Sequence, residues 1–261
     1  MAAFAFLHLS DDVSNEAIRP AAHHWLWLRL LCNTDIKKLL IIAPPESAKT
    51  TWVLQAFMGC SIGFWPEWPR IISAVSDEVA EKRSLALRAM VETDEFKRTF
   101  PGVKRAAKMK WEWGEWSVAP EGLAKPGRLH PTVAAYGTGG SITGSRAREA
   151  IADDLLDFEN TRTGHQRNLV DTWLHNSFLS RVLARVGLVR VIGTSWHHDD
   201  SYSRIRRAGG WVVCHTPLLS EGSEVYATIS YPADYAGERI GEPVAGGDLT
   251  FNPSPLRRGE E

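Results

Sequence analysis

The sequence predicts an α/β fold, a mainly parallel central sheet flanked by helices, and three observations predict it. Apolar runs of strand length, Lys38–Ala43, Arg70–Val75 and Leu188–Gly193, are separated by stretches of helical pattern. Buried parallel strands joined by crossover helices read this way. The first run leads straight into Ala43-Pro-Pro-Glu-Ser-Ala-Lys49-Thr50-Thr51, which has the spacing of a phosphate-binding loop. A further run, Ala150–Asp153, ends in the acidic pair Asp153-Asp154. The C-terminal ends of strands are where open α/β sheets hold ligands.

In chain order, a helix is expected around Ala17–Leu31, half-buried because Arg29 interrupts its apolar stretch. The strand Lys38–Ala43 and the phosphate loop follow, then a helix from about Lys49 to Cys60. After the strand Arg70–Val75, Ser76-Asp77 caps the charged helix Glu78 to about Glu92. Lys110–Val118 alternates imperfectly around Gly114 and reads as a strand or hairpin, its tryptophans serving packing. Arg162–Arg181 reads as helix and Trp211–Cys214 as a fifth strand. Residues 1–238 form one expected domain. The Gly-, Pro- and charge-rich stretch 239–261 reads as a tail or truncated linker.

With 44% hydrophobic and 23% charged residues, the 261-residue chain can bury a sizeable core. A net charge of −1 leaves any DNA contact to local patches such as Lys104-Arg105 and Lys108. Cys32, Cys60 and Cys214 are too scattered for a zinc spacing or a disulfide framework. No apolar run approaches membrane-spanning length, and the first nine residues lack a basic leader.

The loop keeps the spacing G-x-x-x-x-G-K-[ST], with Ala43 and Ala48 in the glycine positions. Backbone N–H groups at a helix start point at phosphates, and the helix dipole favours the anion. Pro45, Glu46, Ser47, Ala48, Lys49, Thr50 and Thr51 are therefore candidate nucleotide-binding residues. Lys49 would neutralise the β/γ oxygens and Thr50 would ligate Mg²⁺. Alanine keeps the N–H groups but accepts positive φ poorly. On pattern alone, a strand–turn–helix with a surface lysine competes equally.

Such a site needs one carboxylate for the Mg²⁺ hydration shell and another to orient or deprotonate the attacking water. Two adjacent acids at a strand end can do both; an Asp-rich helix cap is the plainer alternative. Upstream, Tyr136-Gly-Thr-Gly-Gly-Ser-Ile-Thr-Gly144-Ser-Arg146-Ala-Arg148 is a glycine-rich, anion-friendly loop. His197, His198, Asp199 and Asp200 invite a metal site, but adjacent histidines on an extended chain point to opposite faces.

In order and spacing, these motifs resemble the ATPase domain of the large terminase subunit of tailed phages. That family has Pro-Pro-x-x-x-Lys-Ser/Thr after an apolar strand and an Asp-Asp or Asp-Glu pair. It also has Gly-Gly-Ser-x-Thr-Gly followed by Arg, and Gly-Thr-Arg-Trp-His-x-Asp-Asp, close to Gly193-Thr-Ser-Trp-His-His-Asp-Asp200 here. Phe96–Gly102, Trp173, Ser180-Arg181, Arg204–Trp211 and His215–Leu219 are similar too, so the resemblance spans roughly Pro20 to Glu238. It implies a P-loop NTPase of RecA-like, ASCE type that binds ATP and Mg²⁺ and moves double-stranded DNA into a procapsid. The implied partners are the small terminase subunit, the portal and further copies in a ring; the implied place is the host cell cytoplasm. The resemblance assigns Asp153 to Mg²⁺, Asp154 to water activation and Thr194 to γ-phosphate sensing. It places Pro20, His23 and His24 where the family has a Pro and a polar residue near the adenine, and makes Arg146 the arginine finger, acting in cis or across a subunit boundary, with Arg148 second. A solvated basic loop is the plainer reading of those arginines.

Two departures qualify it. Glu46 stands where the family often carries arginine, and nothing after Tyr231 provides the clustered carboxylates of the family's nuclease domain. A degenerate P-loop scaffold or DNA-binding module therefore competes with the motor. A helicase-like translocase fits less well, because no second motor domain is visible.

Overall fold

The computed structural model describes residues 4–251, apart from 6–7, 10–16, 122–128, 143, 218–226, 241 and 244–247. Helix α1 (Ala22–Cys32) precedes strand β1 (Lys38–Ile42). The loop after β1 enters α2 (Thr50–Met58), wound with wide π turns, which continues as α3 (Gly59–Phe64). Strand β2 (Arg70–Ala74) is followed by α4 (Asp77–Glu92) and α5 (Asp94–Thr99). Ser76 caps α4, its hydroxyl accepting the Val79 N–H.

Four short strands follow: β3 (Val103–Arg105), β4 (Glu115–Trp116), β5 (Val118–Pro120) and β6 (Val133–Gly137). Next come β7 (Glu149–Asp153), α6 (Phe158–Thr161), α7 (Gly164–Trp173) and β8 (Leu188–Gly193). Helix α8 (Ser201–Ala208), β9 (Val212–His215), β10 (Ala227–Ser230), β11 (Glu242–Pro243) and β12 (Asp248–Phe251) complete the described chain.

One sheet carries the order β11-β12-β10-β9-β1-β8-β7-β2-β6-β4. From β9 to β6 every pairing is parallel. The outer strands β10, β12, β11 and β4 pair antiparallel. Both faces of the centre are buried, as the continuous apolar runs require. Leu39, Ile41, Ile72, Ile151 and Ile192 face the core under α1 to α5. Leu40, Ile42, Ala150, Ala152 and Val191 face the core under α7 and α8.

Three expectations need correction. The first helix starts at Ala22, not Ala17: Ala21 is its extended N-cap and donates its N–H to His24 Nδ1 at 2.9 Å. Tyr136 and Gly137 end strand β6 rather than opening a flexible loop. His197 and His198 do not lie on a strand; they sit in a turn with ring centroids 4.1 Å apart. The tryptophan-rich hairpin is present, with Trp111 bridged to Trp116. Of the stretch 239–261, residues 242–243 and 248–251 are drawn as edge strands and 252–261 lie outside the described residues. No helix among the described residues is long and apolar enough to cross a membrane.

Candidate phosphate-loop site

The sheet order sets the site. Strands β1, β8 and β7 are adjacent and parallel, so their C-terminal ends emerge side by side. The ladder continues one residue further: Ala43 N–H donates to Gly193 O at 3.1 Å, and Asp154 N–H to Ile192 O at 2.9 Å. Gly193 admits no larger residue, because a Cβ there would lie 2.5 Å from the Tyr202 hydroxyl.

At these ends the side chains form one hydrogen-bonded group. Lys49, 6% exposed, donates from Nζ to Pro44 O at 2.8 Å and to Thr194 Oγ1 at 3.1 Å. Thr194 donates from Oγ1 to Ala43 O at 3.1 Å and from its N–H to Asp154 Oδ1 at 3.2 Å. Thr50 donates from Oγ1 to Asp153 Oδ2 at 2.8 Å. The expected residues Lys49, Thr50, Asp153, Asp154 and Thr194 thus come together.

Asp153 is fully buried, and its Oδ1 has no hydrogen-bond partner. Burial pushes its carboxyl up to about 6; the Arg83 guanidinium opposes that, and Asp154 adds to it. A buried acceptor without a donor is costly.

The backbone is strained here. Among the described residues four non-glycine residues have positive φ, and three belong to the site: Glu46 at 59°, Ala48 at 54° and Asp154 at 50°. Ala48 takes the conformation for which the usual glycine is suited, at a cost of about 1 kcal/mol. Such strain clusters where geometry serves a ligand. Pro45, Glu46 and Ala48 are exposed, and Ser47 and Thr51 are half-buried. The Glu46 carboxylate thus sits on the outer rim of the loop.

Two residues outside the loop shape the site: His24, which the resemblance set near the adenine, and Arg83, which the sequence reading missed. His24, stacked on Trp52 with centroids 4.9 Å apart, reaches Ser47 O from Nε2 at 3.0 Å. Because Nδ1 accepts the Ala21 N–H, Nε2 carries the proton and donates to Ser47. Burial holds His24 down to about 4, with the Ser47 bond opposing and His23 assisting. His24 therefore ties the loop to α1, whereas His23 packs on Trp27 with its Nε2 buried and unpaired. The second residue is Arg83 of α4, whose NH1 lies 3.2 Å from Asp153 Oδ2 and also donates to the Asp153 carbonyl. A sequence signal existed: Ala80, Arg83, Leu87 and Met90 share the inward stripe of α4.

Arg146 is not brought to the site within the chain. It lies three residues before β7, at the opposite end of that strand from Asp153, and its NH1 reaches Ser180 O. Arg148 lies at the same end, 4.0 Å over the Trp68 ring. The acids Asp199 and Asp200 are also engaged. Arg204 grips Asp199 at 3.2 and 2.8 Å, and Arg207 reaches it at 2.6 Å. Asp200 caps α8 and takes bonds from Ser195, Trp196, His197 and Ser203. Burial would raise its carboxyl, but these bonds hold it below the ordinary value. The basic pair Lys104 and Arg105 is exposed on β3, with Arg105 5.0 Å over Trp111. No protein-family model and no curated protein matches the chain.

Proposed function

We propose that the chain is the ATP-hydrolysing motor domain of a DNA-packaging machine of the large-terminase kind, driving double-stranded DNA into a procapsid. One observation carries the reading: Lys49, Thr50, Asp153, Asp154 and Thr194 converge at the C-terminal ends of three adjacent parallel strands. The strand order supports a P-loop NTPase of RecA-like, ASCE type, since β8 is the additional strand between the loop strand β1 and the acidic strand β7.

The residues fit Mg²⁺ and a nucleotide. Thr50 Oγ1 and the partnerless Asp153 Oδ1 are hard oxygen donors side by side, suited to a cation that keeps most of its waters. When bound, Mg²⁺ would neutralise charge on the β- and γ-phosphates. Lys49 would exchange Pro44 O and Thr194 for phosphate oxygens. Asp154 would orient the attacking water. The water oxygen bonds to the γ-phosphorus as the bond to the β-bridging oxygen breaks. The electron pair leaves with ADP, and the water's proton passes to Asp154. Thr194, hydrogen-bonded to both Lys49 and Asp154, would report the γ-phosphate to the segment leading into α8.

Phosphate release with Mg-ATP, with and without double-stranded DNA, tests the proposal. Turnover stimulated by DNA and abolished by Lys49→Ala is expected; no turnover in either condition rejects it. A degenerate scaffold is the second reading, favoured by Glu46 and Ala48 at positive φ and by a Lys49 ammonium already bonded to its own loop. Nucleotide binding without turnover would select it.

A further inference from the structure

We infer that Arg83 is the cation that touches the transferring phosphoryl group from within the same chain. This rests on the ATPase reading above. Charge spreading over the phosphoryl oxygens calls for a cation beyond the loop lysine. The loop offers Glu46 where an arginine would serve, and Arg146 and Arg148 lie a strand length away, about 13 Å from Glu149 to Asp153 at strand rise.

Arg83 has the needed position. Its NH1 and the Thr50 hydroxyl share one acceptor, Asp153 Oδ2, at 3.2 and 2.8 Å. The two groups are therefore at most about 6 Å apart, the sum of those distances. Its side chain is 16% exposed, so the guanidinium is largely withdrawn from water yet still faces the open end of the sheet. Only NH1 is engaged: Nε and NH2 have no partner among the described residues. The bonds to the Asp153 carbonyl and Oδ2 anchor NH1 and leave Nε and NH2, the other arms of a planar, multidentate donor, for the γ-phosphate. Arg83 lies within α4, so it also links the phosphoryl group to an element outside the loop.

The test compares Arg83→Ala, Arg83→Lys and Arg83→Gln with the unmodified protein, all checked for folding by circular dichroism and urea unfolding. Dissociation constants for a fluorescent ADP and steady-state phosphate release on DNA are measured. Arg83→Ala should lower kcat by about 10²–10³-fold while ADP affinity stays within about threefold. Arg83→Lys should recover at most about a tenth, since one ammonium does not reproduce the fork. Free guanidinium at millimolar concentration should raise Arg83→Ala turnover about tenfold or more and leave the unmodified protein unchanged. If Arg83→Ala does not fold, Arg83→Gln, which retains a donor for the Asp153 carbonyl, carries the same comparison. Turnover within threefold of the unmodified protein, parallel loss of ADP binding and kcat, or no guanidinium rescue of a folded variant each overturns the inference. If the unmodified protein itself does not hydrolyse ATP, the ATPase reading falls, and this inference with it.

Discussion

Glu149 and Asp153 are buried acids on one face of one strand, four residues apart, and each has an arginine beside it. At the N-terminal end the set is closed. Glu149 Oε2 accepts from Arg70 Nε at 3.0 Å and from the Ser61 hydroxyl at 2.8 Å. Arg70 spends its remaining donors on Trp65 O, Trp68 O and Ser61. At the C-terminal end the set is open: Asp153 Oδ1 has no partner, Arg83 uses one nitrogen, and the backbone alongside is strained. The same pair of residue types serves cohesion where all three guanidinium nitrogens are engaged and leaves room for a ligand where only one is.

That contrast can be broken by mutation. Glu149→Ala leaves the fully buried Arg70 without a counter-charge and should cost about 3–5 kcal/mol in urea unfolding. Asp153→Asn should change unfolding by about 1 kcal/mol or less while lowering DNA-stimulated phosphate release by about 10²-fold or more. Equal stability losses in the two variants would erase the distinction. Ala48→Gly relieves positive φ at the open end and should stabilise by about 1 kcal/mol, with tighter nucleotide binding. No gain would mean that the loop holds Ala48 without strain.

The smallest effect concerns pH. His24 is depressed in the folded state to about 4. Between its ordinary value near 6.5 and about 4, the unfolded chain takes up a proton that the folded chain refuses, so stability falls as pH falls through that window. Above it, His24 is neutral in both states and contributes no slope. His24→Gln should flatten this decline relative to the unmodified protein. An unchanged slope would assign the decline to other histidines.

Much of the fold was legible because it depends on local pattern. Lys38–Ala43 and Arg70–Val75 are continuous apolar runs, and β1 and β2 fall within one residue of them. Strand β6 was missed because Val133-Ala-Ala-Tyr-Gly137 is short and alanine-rich, and its strand character comes from pairing with β2. In the site, residues bound to a spacing motif were found, whereas Arg83 was not. Its helical spacing puts it on the inward side of α4, but only the docking of that helix brings it to Asp153. Arg146 stands at the end of β7 away from Asp153, so within one chain it does not reach the site, and its reading as a finger reaching across a subunit boundary is a separate matter.

Tyr202 gives the site a timekeeper. Its hydroxyl accepts the Leu155 N–H at 3.0 Å while its ring lies against Gly193, so one side chain of α8 bridges the segments leaving β7 and β8. The Leu155 amide can trade its proton for solvent deuterium only when that bridge opens. Deuterium uptake at this single position therefore counts the moments at which the two strand ends part, and a ligand that draws them together will slow the count.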